Sequence, residues 1–315
     1  MKIAFYTNFP KEPSSWLHRN CFFKKNLDIE LFKLSKINKY NYVFFMPYKK
    51  DLEDMIKLKK INNNFKSCIV DPRIELKESV IKSTDLIIVD SIEMEDFFKK
   101  YNKPIFKYCT FPQMDFKVLK NKSNGFSIGY HGNLDHLNEM RDDIINAISD
   151  LSKIVKIKLI FLYNFNKFGK FKKKIGDCEI KHIQWNVNNI SKFINSIDIG
   201  IVPNLKKQSL FKKNFFEKVI NYNLNFKLSS GPGRILLFAY HKIPVVADMY
   251  PSSLEFIKND KNGFVCFSKE SWFFALKNLI SLKKKKIGNL LYKKLFPYYL
   301  SEKQNIRLNV FLKKN

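Results

Sequence analysis

Short apolar runs alternate with longer amphipathic segments through the first third of the chain. The apolar runs predict strands at 2–6, 42–46, 68–71, 85–90 and 105–108, and the amphipathic segments predict helices at 16–27, 51–60, 74–83 and 92–101. Strands that alternate with helices at this spacing predict a parallel sheet covered by helices on both faces. We expect such a sheet to bind its ligand at the carboxyl ends of its strands.

The same alternation resumes after the polar segment Lys120–Asn124, which we interpret as a linker. The strands predicted beyond it are 126–130, 159–162, 180–183, 197–202 and 243–247, and the helices are 137–151, 190–195, 234–241 and 298–312. The last helix carries Ile306, Val310 and Phe311 on one side. The predicted fold class is therefore α/β, with two Rossmann-like domains that each contain a parallel sheet.

The first of these domains differs from many nucleotide-binding domains in its glycine content. No glycine precedes Gly125, so this domain lacks a glycine-rich loop of the kind that binds phosphate in many Rossmann-like folds. It is therefore less suited to a nucleotide than the second domain.

Length and cysteine content are consistent with two ordinary domains inside a cell. At 315 residues the chain can form two domains that each bury a core. Its five cysteines are scattered, with no Cys-x-x-Cys pair, and no signal peptide precedes the first strand. This pattern favours a reducing cytoplasm over a disulfide framework or a zinc site.

A formal net charge of +28 suggests an anionic partner. Nucleic acid, anionic lipid and sugar nucleotides all fit such a surface, although a general enrichment in Lys, Asn, Ile and Phe explains part of the charge. Segment 206–226 interleaves lysines with aromatic residues, which suits base stacking, lipid headgroups or a solvated helix equally. No apolar run approaches the roughly 20 residues that span a bilayer, so we expect any membrane contact to be peripheral.

A polar loop between Lys227 and Arg234 has the composition of an anion site. Its small residues leave backbone N–H groups uncovered before a helix, where the helix dipole favours negative charge. These residues are Ser229, Ser230, Gly231 and Gly233, and Pro232 suits the first helical turn. Lys227 and Arg234 bracket the loop, so a diphosphate held there would meet two cations. A plain connecting loop with a solvated arginine is the alternative.

The residues around this loop match a family pattern of a basic residue, an apolar helix, a Pro-Val-Val strand, a Glu-x-Ile motif and Asn-Gly-Phe. The matching residues are Lys227, Arg234, Pro244, Val245, Val246, Glu255, Ile257, Asn262, Gly263 and Phe264. The segment resembles the donor-nucleotide segment of GT-B glycosyltransferases, particularly the retaining "glycosyltransferases group 1" branch. Gly129 to Gly132, Asp198 to Pro203 and Thr84 to Ser91 resemble further motifs of these enzymes.

Two positions depart from that family. Leu237 stands where the family often carries a Glu that holds the ribose hydroxyls, and Lys242 stands where a Gly usually precedes the Pro-Val-Val strand. These departures bear on which nucleotide is bound and, to a lesser degree, on whether the protein is catalytically active.

The resemblance implies two Rossmann-like domains that face each other across a cleft. Residues 1–120 would form the acceptor domain, residues 121–297 the donor domain, and residues 298–315 a helix that returns to the first domain. The implied function is transfer of a sugar from a nucleotide-sugar donor to a growing surface glycan, such as lipopolysaccharide or capsule, on a saccharide or lipid-linked acceptor. The family favours retention of anomeric configuration, and no general base is evident in the sequence beyond the weak candidates His18 and Glu12.

The resemblance also implies roles for individual residues. Arg234, Lys227 and His131 would act on the departing diphosphate as catalytic residues. The implied donor-binding residues are Gly132, Pro203, Asn204, Ser229, Ser230, Gly231, Gly233, Ser252, Ser253 and Glu255, and the implied acceptor-binding residues are His18 and Arg19. We expect no cofactor and no metal, because no Asp-x-Asp motif occurs and the cations could do the same work.

The sequence leaves two other functions open. A catalytically inactive GT-B homologue that serves as a partner subunit would explain Leu237. A nucleic-acid-binding protein would explain the charge, but no helix-turn-helix, zinc-finger or RNP motif supports it, so no nucleic-acid partner is expected. The favoured location is the cytoplasm, in peripheral contact with the anionic inner face of the membrane.

Overall fold

The computed structural model describes residues 1–114, 116, 126–206, 226–228, 231–281 and 284–315. The predicted linker at Lys120–Asn124, most of the lysine-aromatic segment, and Ser229 and Ser230 lie outside these residues. The chain forms two compact units. Unit 1 comprises Met1–Gln113, Leu228–Gly233 and Phe296–Asn315, and unit 2 comprises Met114–Lys227 and Arg234–Leu295.

Unit 1 is built on a six-stranded parallel sheet in the order β2-β1-β3-β4-β5-β6. The strands are β1 (Ile3–Tyr6), β2 (Ile29–Leu31), β3 (Tyr42–Phe45), β4 (Lys66–Val70), β5 (Leu86–Val89) and β6 (Ile105–Lys107). Its helices are α1 (Pro13–Phe22), α2 (Lys49–Ile61), α3 (Glu78–Ser83) and α4 (Ile92–Phe98), with single 3₁₀ helices at Leu34–Lys39 and Lys99–Tyr101. Apolar side chains pack on both faces of the sheet, which confirms the predicted parallel α/β arrangement.

Helix α1 and strand β2 differ from the prediction. The helix begins at Pro13, whose fixed φ suits a first turn, and ends at Phe22 rather than at residue 27. The residues that follow include the edge strand β2, which was not predicted because it is short and only partly buried. An edge strand of this kind carries little of the apolar pattern that identifies a central strand.

Unit 2 contains a seven-stranded sheet in the order β13-β12-β11-β7-β8-β10-β9. The strands are β7 (Phe126–His131), β8 (Ile157–Tyr163), β9 (Lys174–Ile175), β10 (Cys178–Gln184), β11 (Ile199–Val202), β12 (Val245–Asp248) and β13 (Phe264–Cys266). The pairings are parallel except that of β9 with β10. The helices are α5 (Leu134–Asn138), α6 (Asp142–Ser152), α7 (Phe165–Phe168), α8 (Val187–Ser196), α9 (Gly233–Tyr240), α10 (Pro251–Phe256), α11 (Lys269–Ser281) and α12 (Lys284–Tyr299).

The single helix predicted at 137–151 is wrong, because the structure has two helices there. The break falls at Arg141, whose backbone is extended and precedes α6. The Arg141 guanidinium donates to Asp143 at 2.9 Å and to the buried Asp248 at 3.1 Å. The break between the two helices is therefore accompanied by a buried ion pair. No glycine or proline marks it in the sequence.

The C-terminal helix, α13 (Ser301–Lys314), packs against the sheet of unit 1, as the resemblance implied. Leu308 and Leu312 join the same apolar cluster as Ile3 and Phe5. Of the three residues on the predicted apolar side, Phe311 packs against this cluster, whereas Ile306 is 45% exposed and Val310 is 49% exposed. The inward face also carries two fully buried amides, Gln304 and Asn305, which disguise its helical period in the sequence.

Those two amides explain why polar residues occupy an inward face. Gln304 bonds both the N–H and the C=O of Cys109 at 2.8 Å, so it acts as a substitute strand partner for that residue. Asn305 accepts from the Tyr108 hydroxyl at 2.8 Å. Among the described residues, no helix is both long and apolar enough to cross a membrane.

Candidate functional site

The predicted donor residues of unit 2 gather at one edge of its sheet. His131 is the last residue of β7, Pro203 and Asn204 directly follow β11, and Asp248 is the last residue of β12. Because β7, β11 and β12 are adjacent and parallel, their carboxyl ends lie at the same edge. Arg234, in the first turn of α9, reaches the same group of residues.

The Arg234 side chain is buried and held by neutral oxygens. Its Nη1 donates to the carbonyl oxygen of Pro203 at 2.7 Å, and its Nη2 donates to Oδ1 of Asn204 at 3.2 Å. Only 7% of the residue is exposed. These two acceptors carry no net charge, so they orient the guanidinium fork without cancelling its positive charge. The geometry therefore brings together three of the predicted site residues.

Asp248 fixes the turn that supplies those oxygens. Its Oδ2 accepts the backbone N–H groups of Asn204 at 2.8 Å and Leu205 at 2.9 Å. Its Oδ1 accepts from Arg141 at 3.1 Å and from Trp272 Nε1 at 3.3 Å. Burial raises the pKa of this carboxyl, and the Arg141 charge opposes that rise. Asp248 was not among the predicted site residues, although a single acid that ends an apolar run was a visible signal.

Gly132 allows the chain to pass close to Arg234. Its φ is +149°, and a Cβ there would lie 2.7 Å from the Tyr130 hydroxyl oxygen and 3.2 Å from Cδ of Arg234. The Tyr130 hydroxyl donates to the Asn133 carbonyl at 2.6 Å. Glycine is therefore required at this turn both for its backbone conformation and for space.

His131 lies beside Arg234 as a neutral ring. Burial first, and then the Arg234 charge, lower its pKa to about 3. Phe238 and Phe193 contact the ring edge-on, with centroids 5.0 and 6.2 Å away. An imidazole in this setting contributes hydrogen bonds rather than positive charge near pH 7.

Two further basic residues belong to the same region. Burial lowers the pKa of Lys227, where Asp135 and Glu139 oppose the effect and the charges of Lys206 and Arg234 add to it. Burial and the charges of Arg234 and Lys227 lower the pKa of His136, a residue of α5 that the sequence analysis did not select. The positive charges of Arg234 and Lys227 therefore give this region a positive potential that suits an anion.

The described glycines of the loop have a role that the sequence did not predict. Gly231 packs so closely on Asp90 in unit 1 that a Cβ would collide with the carboxylate. A Cβ at Gly233 would lie 2.6 Å from the Thr110 carbonyl oxygen. Close packing within unit 1 is therefore sufficient to require both glycines.

Helix α10 uses one of its predicted donor residues, Ser253, for its own start. Ser253 Oγ accepts the Tyr250 N–H at 3.0 Å and lies 2.7 Å from the carbonyl oxygens of Asp248 and Tyr250. Ser252 is fully buried, and the Glu255 carbonyl accepts from Lys294 at 3.2 Å. The Ser253 hydroxyl is thus engaged in helix capping.

The two departures from the family have clear structural consequences. Leu237 is 1% exposed within α9, so it is a core residue. Lys242 has φ +58° and closes α9 as a Schellman cap, with Lys242 N–H bonded to Ala239 and Ile243 N–H bonded to Phe238. A left-handed cap explains why glycine is usual at this position.

The predicted acceptor residues lie on α1 of unit 1. His18 is 3% exposed, and its Nδ1 lies 2.9 Å from the Ser14 carbonyl oxygen. Burial is the main cause that lowers the pKa of His18. Arg19 is in the last turn of the helix and is half-buried. Among the residues that the structure describes, no group of three or more His, Cys, Asp or Glu could hold a metal ion.

Comparison with known proteins gives fold matches without sequence matches. No protein-family model matches the chain, and no curated protein matches it. Among solved structures, Anabaena HepE in complex with UDP and glucose matches with TM-score 0.63 at 11% identity, over 100% of both chains. The lipopolysaccharide outer core galactosyltransferase WaaB matches with TM-score 0.62 at 12% identity, also over 100% of both chains.

A third match extends the set to a different enzyme. Sucrose-phosphate synthase from Thermosynechococcus elongatus matches with TM-score 0.57 at 10% identity, over 88% of this chain and 74% of that chain. All three have the GT-B glycosyltransferase fold, so the predicted fold is confirmed: two α/β units, each with a parallel sheet.

Proposed function

We propose that this protein is a glycosyltransferase that takes a sugar from a nucleotide-sugar donor. The observation that carries the proposal is Arg234, a buried cation held by the neutral oxygens of Pro203 and Asn204 at the carboxyl edge of the unit 2 sheet. A structural neighbour with UDP bound supports the donor class, because HepE contains it. A buried, oriented guanidinium beside further cations is suited to a diphosphate.

The proposed chemistry is stabilisation of the leaving group. When the bond from the anomeric carbon to the diphosphate breaks, negative charge grows on the phosphate while the sugar becomes oxocarbenium-like. Arg234 and Lys227 would meet that charge already oriented, which is worth several kcal/mol by analogy with oxyanion sites. No metal or cofactor is required by this mechanism, and we propose transfer with retention of configuration.

The proposed acceptor is a growing surface glycan on a saccharide or lipid carrier. WaaB, which acts on the lipopolysaccharide outer core according to its description, supports this class. We place the acceptor against unit 1, near His18 and Arg19, where a neutral buried histidine could orient a hydroxyl. The proposed location is the cytoplasm, with peripheral contact to the inner face of the membrane.

Incubation with a nucleotide-sugar panel, followed by mass spectrometry of the products, tests the function. We expect one or a few donors to be consumed and to raise the melting temperature, because a ligand that binds only the folded state stabilises it. Failure of every nucleotide sugar to bind would refute the proposal. Protection by DNA or RNA instead would support the nucleic-acid alternative.

The second candidate is an inactive homologue that serves as a partner subunit. The buried Leu237, at the position where the family often carries a Glu, is the observation that favours it. Donor binding without hydrolysis or transfer to any acceptor would support this candidate, whereas turnover of a bound donor would exclude it.

Membrane contact requires its own test. The net charge of +28 would contribute about 1 kcal/mol for each basic residue near an anionic surface, and salt would screen it. We expect co-sedimentation with phosphatidylserine vesicles that weakens as salt rises. Equal binding to neutral and anionic vesicles, or binding that salt does not change, would contradict it.

A further inference from the structure

Two buried polar atoms beside Arg234 have no hydrogen-bond partner among the residues that the structure describes. They are Nε2 of His131 and Nδ2 of Asn204. His131 is 9% exposed and Asn204 is 3% exposed, so water does not freely compensate either atom. An unpaired buried polar group costs about 1–3 kcal/mol, and folded proteins rarely retain one without a use. Two such atoms around one cation indicate that a ligand completes their bonding.

Neighbouring contacts determine which of these atoms donates and which accepts. Asn204 Oδ1 accepts from Arg234, which fixes the side-chain amide so that the free atom, Nδ2, is a donor. The hydrogen bond between the His131 ring and the backbone of Arg234 raises the pKa of the ring, which is the effect of a backbone acceptor. The ring is therefore the donor in this bond. Because Nε2 has no partner, the donating atom is Nδ1. The neutral ring then presents Nε2 as an acceptor.

An acceptor nitrogen is the wrong partner for a phosphate oxygen. Both atoms carry lone pairs, and a ring that remains neutral supplies no proton between them. A hydroxyl group supplies that proton. A buried acceptor also discriminates strongly, because a ligand that lacks the hydroxyl leaves the acceptor unpaired. His131 therefore fits the polyol part of a sugar nucleotide rather than its diphosphate.

We propose that His131 is a specificity-determining residue whose Nε2 accepts a hydrogen bond from a hydroxyl of the sugar nucleotide, while Asn204 Nδ2 donates to an oxygen of the same ligand. This inference rests on the proposed donor site. It differs from the role first expected for His131, because a neutral side chain that recognises a hydroxyl supplies no charge to the diphosphate. The hydroxyl belongs to the ribose or to the transferred sugar, and the two sources are separable by experiment.

The test is a thermodynamic cycle in which the His131 acceptor and one hydroxyl of the ligand are removed separately and together. The binding affinity of each combination is measured by calorimetric titration. The probes are UDP-glucose, its 2′-deoxyribose analogue, its 3′-deoxyribose analogue and the analogues that lack single glucose hydroxyls. UDP-glucose is chosen because it binds the structural neighbour HepE. His131→Phe keeps the aromatic contacts with Phe193 and Phe238 but removes the acceptor. His131→Gln offers a carbonyl oxygen as a replacement acceptor.

We expect His131→Phe to weaken UDP-glucose binding by about tenfold, which is about 1.4 kcal/mol. The loss should vanish for the one analogue that lacks the partner hydroxyl, and that analogue identifies the source. His131→Gln should recover part of the affinity. Wild-type affinity should stay constant between pH 6 and pH 8, since the diphosphate diester does not titrate there and the His131 and His136 rings are already neutral.

The matched control is His182→Phe. This histidine lies on β10 in the same unit, its Nδ1 pairs with the Tyr163 hydroxyl at 2.8 Å, and its Nε2 is also buried without a partner. It should not change affinity. The inference would be overturned if His131→Phe weakened the binding of every analogue equally, or if wild-type affinity fell as pH rises from 6 to 8. Neither result would contradict the proposed donor site. If wild-type protein binds no UDP-sugar and no other nucleotide sugar, the proposed function itself fails and the inference fails with it.

Discussion

Substitution of Arg234 is the sharpest perturbation that the structure offers. The side chain is 7% exposed and donates to Pro203 at 2.7 Å and to Asn204 at 3.2 Å. Arg234→Ala removes the charge that would stabilise the departing phosphate. We expect turnover to fall by about 2–4 kcal/mol in barrier, the range for loss of one oxyanion donor, which is roughly 30- to 900-fold. Donor affinity should fall less, because the contact strengthens as charge develops.

Two related variants calibrate that effect. Arg234→Lys should restore only part of the rate, since one ammonium cannot bond two separated oxygens and a phosphate as the planar fork does. Lys227→Ala should act in the same direction but more weakly, because Lys227 is only half-buried and lies ahead of the loop. Lys286→Ala is the control, because Lys286 is exposed in a lysine-rich stretch of α12.

The assay is steady-state turnover with the donor found in the nucleotide-sugar panel, on variants whose circular dichroism matches wild type. The structural check is needed because Arg234→Ala also leaves the Pro203 and Asn204 oxygens without their buried donor, at about 1–3 kcal/mol each in stability. If Arg234→Ala turned over the donor as fast as Lys286→Ala, the assignment of this edge of the sheet as the donor site would be refuted.

Three further changes probe the same region. Gly132→Ala should lower the melting temperature, because its Cβ would lie 2.7 Å from the Tyr130 hydroxyl oxygen at a φ of +149°; an unchanged melting curve would contradict the geometry. Asp248→Ala should lower the free energy of unfolding by about 3–5 kcal/mol, since it leaves Arg141 buried without that partner, and urea unfolding measures it. The lowered pKa of His131 means that the unfolded chain takes up a proton below about pH 6.5 and the folded chain does not. His131 should therefore contribute a fall of about 1.4 kcal/mol in the free energy of unfolding from pH 7.5 to pH 5.5, in addition to the contributions of His18 and His136, and the same titration of His131→Gln should lack the His131 component.

Continuous apolar runs made much of the fold predictable. Strand β12 and helix α9 were placed within about two residues, because Gly233 and Pro244 bound apolar segments of the expected lengths. Edge strand β2 and the two-residue strand β9 were missed, since strands this short at a sheet edge carry no period.

The site was predictable in part for a physical reason. Arg234, Asn204 and Gly132 follow or start regular elements, and the carboxyl edge of a parallel sheet brings such positions together. The pairing of Asp248 with Arg141 was missed because an ion pair between residues far apart in the sequence has no local pattern, even though Asp248 itself ends an apolar run. The neutrality of His131 also required the structure, since burial and the charge of Arg234 cause it.

The position of helix α13 affects how unit 1 folds during synthesis. Leu308 and Leu312 complete the same apolar cluster as Ile3 and Phe5, so the first and last segments of the chain share one core. A ribosome makes the strands of this sheet before α13, so the sheet lacks part of its apolar covering until α13 has been made. Contacts of such high sequence separation slow folding and expose apolar surface meanwhile. Unit 1 thus completes its core only after unit 2 has been synthesised.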